Sequence, residues 1–249
     1  MAERPWPALF LNAIWSDNGR RIVAASLRTD TLAPPRDDEV LFKDLLTTLG
    51  GDIRLSTAAH NSARFPLVSP PGGWRPAEQT DQEWQRLQDG GLFENYGAET
   101  LLEIAAVAER LWREKWDMTL QPYVILISSD PTLPMDLADF PHNDPLGFGY
   151  EVLSTLRSYA TSRSGHGVEA ASRLQRWVEN RSPVSEPSRF FHLRMCGGDE
   201  NGLEPPLGWF LSTKAQAEIN RYLSADNPCS QENAQALARL SELMPPASE

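Results

Sequence analysis

Asp89 heads the run DGGLFENYGAETL, residues 89–101, in which an acid is followed by two glycines and then by a long amphipathic segment. A carboxylate on such a turn can serve as a general base, because glycines beside it leave room for a hydroxyl to approach. The turn can also hold it at the carboxyl edge of a sheet, where α/β proteins gather their site residues. The same tripeptide describes an ordinary β-turn, since Asp and Gly favour turns for backbone reasons of their own. On Asp89, Gly90 and Gly91 alone, both readings stand.

Acyl transfer by serine needs two more parts, an exposed hydroxyl on a tight turn and backbone donors for the oxyanion. Ser56 and Ser62 flank His60 in STAAHNSARFP, residues 56–66, and could be read as a nucleophile, although Ser56 is more simply a helix N-cap. Asp130 closes an apolar run, but Pro131 after it equally suits the start of a turn. Glu94 and Asn95 border the Asp89 turn, either positioning it or simply solvated. His60, His142, His166 and His192 are scattered without the spacing of a metal motif, so surface or core roles are expected and no metal or other cofactor is implied. Cys196 and Cys229 form no CxxC and have no neighbouring histidine ligand. They read as free thiols in a reducing compartment, with a single bridge as the lesser alternative. The tryptophans, Trp84, Trp112 and Trp116 among them, fall mainly at helix-face or strand positions and read as core.

The elements that must position these groups follow from hydrophobic patterning. PALFLNAI (7–14) and RIVAASL (21–27) flank Asp17-Asn18-Gly19, where Asn and Gly tolerate positive φ, so a β-hairpin is expected. Asp37 or Asp38 can cap a helix running to about Thr48, which Gly50-Gly51 ends. Ser56 starts a short helix that stops before Pro66, and 68–82, VSPPGGWRPAEQTDQ, is too rich in Pro and Gly for regular structure. Trp84–Gln88 reads as a short strand leading into the Asp89 turn.

From Ala98 to Trp116, apolar residues such as Leu101, Ile104, Ala108 and Leu111 recur at three and four positions, and Glu109 can pair with Arg113 on the outer face. QPYVILISSD (121–130) is a continuous apolar run, the pattern of a strand buried on both faces of a sheet. A loop over 130–145 precedes helices near 147–161 and 166–179. A strand at 189–195 and helices at 212–224 and 230–243, capped by Ser212 and Ser230, complete the chain. A long helix leading into a buried strand gives an α/β class, read as one domain over 1–249.

Composition narrows the partners. The 249 residues are 41% hydrophobic and 23% charged, an ordinary globular balance. With 34 acidic against 23 basic residues the net charge is −11, and no basic stripe exists to neutralise phosphates, so nucleic acid is not expected as a partner. No run of about 18 apolar residues is present, and MAERPWPALF lacks a basic region followed by an apolar core, so neither a membrane span nor export is expected. A cytoplasmic location is the expectation.

Four segments in this order, PALFLNAI with a following Gly-Arg, STAAHNSARFPLVSPPGGW, DGGLFENYGAETL and PLGWFLS (206–212), resemble the latter part of bacterial members of the patatin-like phospholipase family. The resemblance is close over residues 5–130 and loose over the helical remainder, 131–249. It implies the C-terminal portion of a patatin-like α/β/α layered fold with an incomplete sheet, and degradation of a lipid or other ester substrate by a serine–aspartate dyad without a cofactor. In that family a serine in GxSxG is the nucleophile, an upstream glycine-rich loop supplies the oxyanion hole, and the Asp of DGG or DGA is the base. Asp89 then maps to the base, and Gly90 and Gly91 to its motif.

The sequence contains no GxSxG, and its other glycine pairs, Gly165-His166-Gly167 and Gly197-Gly198, follow the Asp instead of preceding it. The resemblance therefore implies a nucleophile carried by an upstream segment or a protein partner, with the substrate reached in solution or at a membrane periphery. It also implies that the chain alone is a poor hydrolase, since one oxyanion donor is worth about 10²–10³-fold in rate. An unfilled sheet edge would invite pairing with another chain. A catalytically silent binding or regulatory subunit of the same fold, or a truncated gene product, is the alternative.

Overall fold

A computed structural model describes residues 7–27, 42–65, 68–75, 84–128, 150–183, 185–196, 212–224 and 227–243. The chain is mixed α/β and groups into two compact units, Met1–Leu120 with Asn143–Ala170, and Gln121–His142 with Ala171–Glu249.

The first unit is built on a five-stranded sheet of order β3-β2-β1-β5-β4, from β1 (Phe10–Trp15), β2 (Arg20–Ala25), β3 (Lys43–Asp44), β4 (Gly72–Trp74) and β5 (Gln85–Asp89). The hairpin forms as the Asn-Gly pair leads one to expect, with Gly19 at φ 70 and Phe10 opposite Ala25. A largely parallel sheet is not what forms. The contacts of β1 with β2 and β5, and of β4 with β5, are antiparallel, and only β2 and β3 run parallel. The Pro/Gly-rich stretch assigned to a loop supplies β4, because Gly72 tucks against Asn61, where a Cβ would lie 2.5 Å from Oδ1. That leaves Trp74 to plug the core edge-on to Trp15, with ring centroids 4.9 Å apart. Around them Ile22, Leu45 and Leu87 are fully buried, each stabilising the fold by roughly 1.5–3 kcal/mol.

Two short helices, α1 (Leu45–Leu49) and α2 (Leu55–Ser62), and the long α3 (Ala98–Trp116) flank this sheet in sequence. The cap of α1 is Asp44, whose Oδ1 accepts from Thr47 N at 2.9 Å, and Gly50 ends the helix at φ 69. Asp37 and Asp38 lie outside the described residues. Ser56 is not the cap of α2: the helix begins one residue earlier and Arg54, in extended backbone, takes that place without a side-chain bond. The Glu109–Arg113 pair of α3 forms at 3.1 Å, with Glu109 buried instead of facing solvent.

In place of two helices near 147–161 and 166–179, a single helix α4 (Tyr150–Glu179) runs through the Gly165-His166-Gly167 segment. Those glycines read as a break because each lowers helix propensity by about 1 kcal/mol relative to Ala. Gly167 is required for another reason, since the Tyr96 ring lies where its Cβ would be.

The second unit contains β6 (Val124–Ser128) and β7 (Phe190–Arg194), parallel and in register from Val124 opposite Phe190 to Ser128 opposite Arg194, with α5 (Thr213–Arg221) and α6 (Pro228–Leu243). The strand expected to be buried on both faces is buried on one. Val124 and Leu126 face inward, whereas Ile125 and Ile127 are 44% and 75% exposed. Ser212 caps α5 as its position suggests, accepting from Ala215 N at 3.2 Å. Ser230 does not cap α6. It lies buried within the first turn, and Asn227 Oδ1 accepts from its backbone N at 2.9 Å.

Cys196 and Cys229 are joined in a disulfide, which corrects the reading of free thiols. Thirty-three positions separate them, so the pairing follows from the placement of the end of β7 beside the start of α6, which no local spacing reveals.

Candidate functional site around Asp89

Asp89 is the last residue of β5, opposite Ala13 of β1, and caps a single 3₁₀ turn, Gly90–Leu92. Its Oδ1 accepts from Gly91 N at 2.7 Å, and its own N donates to the Arg64 carbonyl at 3.1 Å. Among the described residues this is the one hydrogen bond its carboxylate receives. The group is half-buried. The expected geometry of an acid held at a strand end by its own turn is therefore present.

The two glycines are needed for different reasons. At Gly90 a Cβ would stand 2.5 Å from the Asn12 carbonyl oxygen and 2.7 Å from its carbonyl carbon, so only a hydrogen fits between the turn and β1. At Gly91 a Cβ would stand 2.5 Å from Asn95 Oδ1 and 2.9 Å from Asp89 Oδ1. Gly90 seats the turn on the sheet, and Gly91 lets the Asn95 side chain and the Asp89 carboxylate close over the turn.

Asn12 carries the bracing further. Its carbonyl also accepts from Ser62 Oγ at 2.6 Å, and its Oδ1 accepts from Thr100 Oγ1 at 2.8 Å. Thr100 Oγ1 in turn accepts from the Arg21 guanidinium at 2.7 Å. Arg21 is buried, paired with Glu103 of α3, and stacked with its guanidinium carbon 5.0 Å from the Phe93 ring centroid. Strand β2, strand β1 and helix α3 are thus joined through polar contacts behind the Asp89 turn. In the apolar run RIVAASL, Arg21 stands at the polar start, which gave it no inward role, yet it is buried with the rest of β2.

Glu94, read as a positioning or solvated residue, is 5% exposed. Burial pushes its carboxyl above the usual 4.5, against the opposing pull of the Tyr96 and Glu99 amides, the Arg21 charge and the Ala98 amide. Its Oε2 accepts from Tyr96 N at 3.0 Å, so it steadies the chain between the turn and α3. Asn95 is exposed.

The serine and histidine candidates separate from Asp89. Ser62 lies behind the turn but donates to the Asn12 backbone, while Ser56 and His60 are exposed on α2. Asp130 and His142 fall outside the described residues, as do Gly197 and Gly198. His166 is exposed, with its ring centroid 6.4 Å from that of Phe93. In the second unit, His192 Nε2 meets Ser128 Oγ at 2.8 Å, a pairing that a separation of 64 residues hid from the sequence. Among the described residues no group of three or more His, Cys, Asp or Glu side chains is arranged to hold a metal ion, and no helix is long and apolar enough to cross a membrane.

No protein-family model matches the chain, and no curated protein and no solved structure matches it.

Proposed function

We propose that this chain supplies the aspartate base of a patatin-like serine–aspartate acyl hydrolase acting on a lipid or other ester, the serine coming from a segment or partner outside this sequence. The observation that carries the reading is the half-buried Asp89 carboxylate at the end of β5, anchored at Oδ1 by Gly91 N, with no hydrogen bond to Oδ2 among the described residues. In this role Oδ2 takes the proton of the incoming serine hydroxyl as that oxygen attacks the ester carbonyl, and returns it to the leaving alcohol. General-base assistance of this kind is worth about 10²–10⁴-fold.

The test is reconstitution of the full chain with a polypeptide bearing the glycine-rich loop and GxSxG, followed by hydrolysis of a short nitrophenyl ester. Asp89→Asn is expected to lower turnover by about 10²-fold or more with the fold intact. Full activity of that variant would remove Asp89 from the mechanism.

One observation favours a second reading, a catalytically silent binding or regulatory subunit. Ser62, one of the two serines that could be read as a nucleophile, spends its hydroxyl on the Asn12 carbonyl and not on Asp89. Labelling of the purified chain by a fluorophosphonate, lost on changing one serine, would count against silence. The disulfide favours an oxidising location for either form over the cytoplasm.

A further inference from the structure

The second unit contains a cavity of about 170 Å³ between one face of the β6–β7 pair and the C-terminal part of α4. Leu126, Ala171 and Phe190 give it apolar walls. His192 lies on the same wall as Leu126, its ring fixed through Nε2 to Ser128 Oγ. Arg194 and Glu232 line it as well, and the two are ion-paired.

That ion pair is unequal. The Arg194 side chain is 12% exposed and that of Glu232 61%. The Arg194 backbone is held at both ends by Asn233, whose Oδ1 accepts from Arg194 N at 3.0 Å and whose Nδ2 donates to Arg194 O at 2.8 Å. The strand that carries Arg194 is thus held in place, its side chain lies mostly buried against the cavity, and its carboxylate partner sits on a solvated helix surface from which it can turn away.

We propose that this cavity binds a small organic monocarboxylate, whose carboxylate replaces that of Glu232 on Arg194 and whose apolar body lies on Leu126, Ala171 and Phe190. The volume suits such a ligand, since a cavity of about 150 Å³ accommodates a benzene ring. Arginine is suited to the headgroup because its planar fork receives both carboxylate oxygens. The net charge of −11 opposes an anion only at long range, where salt screens it beyond about 8 Å; at contact the Arg194 charge decides. The proposal is independent of Asp89, which belongs to the other unit.

Benzoate is the probe, titrated into the full chain by calorimetry, with benzyl alcohol as the uncharged comparison. Saturable benzoate binding is expected, at least about tenfold stronger than that of benzyl alcohol, as befits a charge-assisted pair. Arg194→Met should weaken it by a similar factor, and Ser172→Phe should abolish it by filling the space from the α4 side. Glu232→Gln, a change at an exposed carboxylate that does not endanger folding, should strengthen benzoate binding severalfold by removing the internal competitor. Absence of saturable benzoate binding, equal binding of the alcohol, or unchanged benzoate affinity in Glu232→Gln would each overturn the proposal.

Discussion

Gly90 meets the Asn12 carbonyl so closely that a Cβ on it would stand 2.5 Å from the backbone oxygen. Because the obstacle is main chain in the middle strand of a five-stranded sheet, Gly90→Ala must move either the turn or β1. Overpacking of this kind costs about 1–3 kcal/mol. Gly91→Ala meets only the ends of Asn95 and Asp89, and Asn95 is exposed and can swing aside, so a smaller loss is expected. Urea midpoints of the two variants test the ranking, and an equal or reversed order contradicts it.

Removal of Arg21 should be among the costliest single changes. Arg21→Leu removes the buried ion-pair partner of Glu103 and deprives Thr100 of a donor. Breaking such a pair costs about 3–5 kcal/mol. The double variant Arg21→Leu with Glu103→Leu should recover a good part of that, because both members of the buried pair are replaced together. A double-mutant cycle by chemical denaturation measures the coupling, and simple additivity would show that the two do not act as a unit.

Glu94 makes a signed prediction for pH. Its carboxyl is raised in the folded state, so between the usual 4.5 and that raised value the native chain binds more protons than the unfolded one. Stability contributed by this group is complete below 4.5 and is lost as pH rises through the folded value. The difference in unfolding free energy between the wild type and Glu94→Gln should therefore fall with rising pH across that window. A difference that grows with pH would contradict the sign.

Reduction of the disulfide should destabilise the second unit. Its closure of 33 positions corresponds to about 3–4 kcal/mol in the chain-entropy description. Dithiothreitol should lower the unfolding midpoint of the wild type and leave a Cys196→Ser, Cys229→Ser variant unaffected. Two thiols reactive in the untreated, denatured chain would show that the bridge had not formed.

Much of the local structure was legible in the residues themselves. The bounds of α3 follow from its three- and four-residue apolar spacing, and the first hairpin from Asn18-Gly19, but Leu101 and Trp112 of that spacing are exposed, as are Trp84 and Trp116, so the reading of these tryptophans as core is corrected. The strand preceding Asp89 was also readable, to within one residue. What escaped was set by distant partners. Trp74 packs β4 against Trp15, Gly167 stands inside α4 where the Tyr96 ring leaves no room for a Cβ, and Cys196 finds Cys229 through the fold. The same holds for the site: Asp89 and its glycines carry a local signal, whereas Arg21, Asn12 and Thr100 reveal their roles only once three elements are brought together.

The pairing of β1 with β5 sets an order for assembly. The first hairpin joins Leu9 to Ser26 across 17 positions, whereas the strand that ends in Asp89 must close against β1 with Trp15 and Gln85 separated by 70, and Thr100 reaches Asn12 across 88. The longer closures cost more chain entropy before any contact rewards them, so the hairpin and α3 are expected to form first and the acid's seat last. Mutations at Gly90 should then speed unfolding more than they slow folding, making this turn a reporter of the final step by which the chain becomes native.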